Sequence, residues 1–153
     1  MKHSKKTSVL AILIMLALIV GENSFAQAQE LVLVSATDNP VEPLSMLEIR
    51  RLYLGISITK QGMKLLPLRN YSDQILKQML LQKVVFLSAK TYERQLLRRT
   101  FGTGSRRPKS YTNADELILA LKRQPGAFTI MWRSKATSTP GLSIVQNLWI
   151  SKD

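Results

Sequence analysis

Short apolar runs and helical stripes alternate along the chain, each bounded by turn residues. Val9 to Val20 is an unbroken apolar run of twelve residues. Leu31-Val32-Leu33-Val34 is a second, β-rich and apolar on both faces, so it predicts a buried strand of the parallel-sheet kind, closed by Thr37-Asp38-Asn39-Pro40. Ser45 followed by Glu48 is a capping-box pattern. It predicts a short helix with Leu47, Leu52 and Tyr53 inward, stopping before Gly55, the natural left-handed terminator. Lys60-Gln61-Gly62 reads as a turn, and Leu65 to Leu68 as a short strand whose Pro67 marks an end or an edge.

Ser72 then predicts a cap for a helix from about Asp73 to Leu87, with Ile75, Leu76, Met79, Leu80 and Val84 at helical spacing. Ser88 predicts the cap of another helix running to Thr100, with Tyr92, Leu96 and Leu97 on one face, and 101–108 reads as a loop. Asn113 with Glu116 starts a helix that ends at Gln124. Pro125-Gly126 turns the chain into a strand, Ala127 to Trp132, and after a Ser/Thr/Pro-rich bend Leu142 to Val145 is the last strand. That order implies an α/β fold: a small mixed sheet covered by helices.

The first apolar run has a separate meaning. A twelve-residue helix spans only about 18 Å, against about 30 Å of bilayer hydrocarbon. It follows Lys2, Lys5 and Lys6 and precedes Ala26-Gln27-Ala28, so residues 1–28 carry the basic, apolar and small-residue parts of a signal peptide cleaved after Ala28. Residues 29–153 then form a single domain, for which we expect a periplasmic location and no membrane span after cleavage. Removing residues 1–28, with Lys2, Lys5, Lys6 and Glu22, leaves 125 residues with 19 bases and 9 acids, a charge of +10.

The chain has no cysteine, and its single histidine, His3, lies in the leader. The exported domain therefore has no disulfide, no thiolate or imidazole for a metal, no catalytic cysteine and no histidine base, and we read it as a non-enzyme without cofactor or metal. Its strong positive charge points instead to anionic partners.

Three segments resemble the short exported proteins related to the phosphate-binding receptor of phosphate ABC transporters, in the type 2 periplasmic binding protein superfamily. They are Asn39-Pro40 followed by Leu44-Ser45 and Glu48 to Gly55, the Phe101-Gly102-Thr103-Gly104 loop, and Gln124-Pro125-Gly126-Ala127-Phe128, which is similar to the family's P-G-A-I-G-Y turn and strand. The resemblance runs from Glu30 to Trp132. It implies one lobe of a two-lobed clamp, because the N-terminal lobe has no counterpart here. Phe128-Thr129-Ile130 departs from the family's strand, and Leu68-Arg69-Asn70-Tyr71-Ser72-Asp73 keeps an arginine and a serine cap but lacks the Ser-Gly-Thr that holds the oxyanion in full-size receptors.

Arg69, Ser72 and Asp73 form a candidate oxyanion site on physical grounds as well, since a helix N-terminus offers free amides and a guanidinium can fork onto two oxygens. Asp73 would repel a dianion but accept a hydrogen bond from a protonated one. The same residues equally make a plain cap beside a solvated charge. Thr103, Gly104 and Ser105 resemble an anion-cradling nest without the lysine ending of a nucleotide-binding loop. Arg94, Arg98, Arg99, Arg106 and Arg107, with Lys109, form the densest basic cluster, either a solvated face or a surface for an acidic partner.

Two functions follow as expectations. One is a non-catalytic, exported, substrate-binding-like protein that holds phosphate or another small oxyanion weakly, or serves a transport or sensing assembly. The other is a basic periplasmic adaptor that docks on a membrane receptor or kinase without a small ligand; a membrane transporter or receptor component is the partner expected of either. Export leaves no role for specific nucleic-acid binding.

Overall fold

The computed structural model describes residues 29–151, so the expected signal peptide lies outside the described residues. Strand β1, Glu30–Ala36, is buried from Leu31 onward because it runs through the middle of the sheet. The sheet has four strands in the order β4-β7-β1-β8, where β4 is Leu66–Pro67, β7 Ala127–Trp132 and β8 Leu142–Ile150. Within this sheet β4 and β7 are the one parallel pair; β1 is antiparallel to both neighbours, which corrects the parallel-strand expectation. A continuous apolar run reports burial on both faces, whatever the strand direction.

Successive side chains of a strand point to opposite faces, and both faces are covered. Leu31 and Leu33 of β1, with Phe128 and Ile130 of β7, pack under helices α1 (Met46–Tyr53), α2 (Gln74–Met79) and α3 (Ala89–Thr103). Val32, Val34 and Met131 meet Ala136 of α5 (Arg133–Ser138) on the other side, and Ala127 meets Leu117, Ala120 and Leu121 of α4 (Ala114–Arg123). The fold is thus α/β, with a small mixed sheet between five α-helices among the described residues. Among the described residues no helix is long and apolar enough to cross a membrane.

The short elements follow local chemistry. Ser45 Oγ accepts from the Glu48 amide at 3.2 Å while the Glu48 carboxylate accepts from the Ser45 amide at 2.8 Å, which completes the capping box of α1. Gly55 at φ +83° ends that helix as expected, but Leu47 faces solvent and Ile49 takes its place inside. Strands β2 (Thr59–Lys60) and β3 (Met63–Lys64) form a hairpin around Gln61-Gly62. Pro67 sits on the edge strand β4, where its missing amide costs nothing.

Asp73, not Ser72, caps α2, with Oδ1 accepting from the Ile75 amide at 2.7 Å. The expected long helix continues past Met79 only as a π-helical turn, Leu80–Val85, which Phe86 ends at φ 55°. Helix α3 runs on to Thr103, so the first three residues of the expected 101–108 loop are helical. Helix α5 replaces part of the expected bend, and β8 extends five residues beyond Val145. Two register shifts against β1 bend this edge strand.

The capping box yields a pH prediction. Hydrogen bonds from the Ser45 backbone amide, then from Lys60, hold the Glu48 carboxyl at about 2 against an ordinary 4.5. A folded-state pKa below the unfolded value stabilises the fold above about 4.5, and that contribution drains away as pH falls toward 2. Glu48→Gln is expected to cost about 1 kcal/mol at pH 7 and almost nothing at pH 2. Urea unfolding of both proteins at the two pH values checks this; an equal cost at both would show that the charge is immaterial.

Candidate functional site

Strand β5, Arg69–Asn70, leaves the main sheet and pairs in parallel with β6, Ser110–Tyr111. That departure swings Arg69 under the 106–109 segment, where its side chain is only 7% exposed. Its Nε donates to the Pro108 carbonyl at 2.9 Å, and Nη1 donates to Tyr71 Oη at 3.3 Å and to Glu93 Oε1 at 2.6 Å. The guanidinium also lies over the rings of Tyr71 and Tyr92, at 5.3 and 5.9 Å. Burial pulls the Arg69 pKa down, but the oxygens of Tyr71, Tyr92 and Glu93 outweigh it and raise the pKa above its ordinary value. Arg69 is charged at every physiological pH.

Glu93 Oε2 accepts from Arg107, so one carboxylate is clasped by two guanidinia from different parts of the chain. Glu93 is the only acidic residue between Asp73 and Asp115, among nine bases. A lone carboxylate in so basic a stretch was the available sign that it would be claimed; its partner, 24 residues earlier, was not readable from spacing.

The candidate oxyanion residues do not converge. Ser72 turns back, with its amide and hydroxyl both donating to Asn70 Oδ1, at 3.2 and 2.6 Å. Asp73, besides capping α2, accepts from Trp132 Nε1 at 3.0 Å. Thr103 lies in the last turn of α3 and bonds the Arg99 carbonyl and the Ser105 hydroxyl, while Gly104 ends the helix at φ +65°. This is a helix C-terminus, whose carbonyls carry partial negative charge, the wrong end for an anion. The arrangement in which Arg69 faces an anion held by the cap of α2 is therefore not formed: Arg69 is engaged with Glu93 and Pro108.

The basic cluster is also divided. Arg94 and Arg98 are exposed on α3, whereas Arg99 is half-buried, its Nε enclosed without a hydrogen-bond partner and its stem packed beside Gly55. Arg106, Arg107 and Lys109 instead form a ridge with a depression on each side. The first, of about 770 Å³, is lined by Arg69, Tyr71, Glu93, Thr100 and residues 106–110. The second, of about 410 Å³, runs from the same ridge over Leu66 and Pro67 to the Gly55-Ile56-Ser57 loop and Lys64. Among the described residues no carboxylate lines this second depression. Lys64 was not among the residues the sequence singled out; the hairpin brings it to the lining of this depression. Comparison with models of known families finds no match, and comparison with curated proteins finds none either.

Proposed function

We propose that this chain is a non-catalytic binding protein of the periplasm whose working surface is the Arg106–Lys109 ridge, and that its partner is an acidic protein of a membrane transport or sensing assembly. The observation that carries this reading is the ridge itself: cations serve two adjoining depressions, and among the described residues only Glu93 neutralises them. Such a field steers an anionic partner and makes binding salt-dependent. The domain's overall positive charge, the expected signal peptide and the resemblance to phosphate-receptor lobes support the same compartment and class.

Reversal of two ridge charges tests it. Arg106 and Lys109 are both exposed and, among the described residues, paired with no carboxylate, whereas Arg107 holds Glu93. Arg106→Glu with Lys109→Glu is expected to leave stability within about 1 kcal/mol. It should weaken the partner recovered by in vivo crosslinking at least about tenfold and flatten the salt dependence of its binding. Unchanged affinity and salt slope would remove the ridge from the proposal.

A second reading, a weak small-oxyanion site, is favoured by one observation. The Glu93 carboxylate occupies a position between Arg69 and Arg107 that would suit a free oxyanion, so an anion could bind there once Glu93 is withdrawn.

A further inference from the structure

The smaller depression is more than a charged surface. Its floor is Leu66 and Pro67 of β4 with Leu65 and Leu68 beneath, and its rim carries Lys64, Arg106 and Lys109. At about 410 Å³ it falls within the size of pockets that enclose an apolar group, about 300–1,000 Å³. An edge strand invites another strand to pair, but this one is closed to that. The Leu66 and Leu68 amides point into the sheet toward the Gly126 and Phe128 carbonyls, and on the outer side Leu65 already donates to Ile58, Pro67 has no amide, and Arg69 donates to Lys109. Recognition here must come from side chains.

We propose that this groove takes an extended acidic peptide segment of a partner protein, an apolar side chain seated over Leu66 and Pro67 and flanking carboxylates paired with Lys64, Arg106 and Lys109. The inference rests on the ridge being the partner surface and adds the partner's chemistry. Charge complementarity selects an acidic occupant, since the lining holds three arginines and lysines besides Arg107 and no acid. The apolar floor selects a peptide over a free oxyanion, which has no group to place there. The recess between the Gly55–Ser57 loop and the ridge selects it over a flat membrane surface.

The test uses fluorescence anisotropy with labelled octapeptides of the pattern Gly-Asp-Asp-x-x-Asp-Asp-Gly, where x is leucine, phenylalanine or valine. Inorganic phosphate and phosphatidylglycerol vesicles are measured beside them. The expected result is saturable peptide binding that weakens at least about tenfold when x is serine, since burying one such side chain is worth that much. Ser57→Trp, which fills the groove from an exposed rim position, should weaken it comparably with an unchanged circular dichroism spectrum. Arg106→Glu with Lys109→Glu should weaken it further. Peptide binding indifferent both to serine and to Ser57→Trp would overturn the apolar anchor. Vesicle binding without peptide binding would overturn the peptide in favour of a lipid surface. If no peptide binds but the double reversal still releases the crosslinked partner, this inference fails and the ridge reading stands; a partner indifferent to the reversal overturns both.

Discussion

Gly126→Ala is expected to cost about 3 kcal/mol or more, lowering the thermal midpoint by about 10 °C or more in a domain of this size. Gly126 sits at φ +77°, a conformation that alanine adopts only under strain, and a Cβ there would collide with the backbone carbonyl oxygen of Lys64. The carbonyl cannot give way cheaply, because the same turn sets the register of the sheet edge: Gly126 O accepts from the Leu66 amide at 2.9 Å, and Leu66 pairs with Ala127. Gly62→Ala provides the comparison. Its φ is +78°, but nothing lies within 4 Å of the added atom, so only the backbone strain of about 1–2 kcal/mol remains. Calorimetry of the two variants should separate them by several degrees; equal losses would mean that the approach to Lys64 carries no weight. The Pro-Gly-Ala-Phe stretch, Pro125 to Phe128, thus has a structural reason in this chain whatever the protein binds.

Arg69→Ala should rank next, at about 3 kcal/mol, because it leaves a cavity and an unpaired Pro108 carbonyl, with only the backbone bond from the residue 69 amide to the Lys109 carbonyl still joining β5 to the ridge. Glu93→Ala should cost less, about 1–2 kcal/mol, since its side chain is 41% exposed and water reaches the position it vacates. Denaturant unfolding of both single variants and the double gives the order and the coupling. A larger loss for Glu93→Ala than for Arg69→Ala would contradict the burial argument. Arg69→Ala therefore reports on folding before it reports on binding, and Glu93→Ala is the variant that tests the oxyanion reading. With Glu93 gone, millimolar phosphate or acetate should raise the thermal midpoint of the variant and leave the wild type unchanged. No rise in the variant would remove that reading and leave the ridge as the working surface.

The experiments on the ridge and on the Glu93 position address different chemistries. The Glu93 position, clasped by Arg69 and Arg107, is one that an anion can fill only when Glu93 leaves. The ridge is an extended field over an apolar recess, suited to a macromolecular partner.

What could be read from the residues alone is what short-range physics decides. The Ser45 and Glu48 capping box, the stop at Gly55, the turn at Gln61-Gly62 and the edge placement of Pro67 each depend on a few neighbouring atoms, and each is present in the fold. The covered mixed sheet followed from the order of apolar runs. Where two local rules competed, the tertiary structure chose between them: Ser72 and Asp73 are both good caps, and Asp73 took the role while also meeting Trp132, 59 residues away. Strand direction around β1 was likewise beyond the pattern, because burial on both faces is the same for parallel and antiparallel neighbours. Helix α5 carries one buried residue, Ala136, too weak a stripe to announce itself before β8 and β1 supplied the surface it covers. The pairing of Arg69 with Glu93, and the placing of Lys64 and Arg106 on one depression, join residues distant in sequence. Charges act through space rather than along the chain, so only the folded arrangement could turn a scattered excess of bases into a groove with a rim.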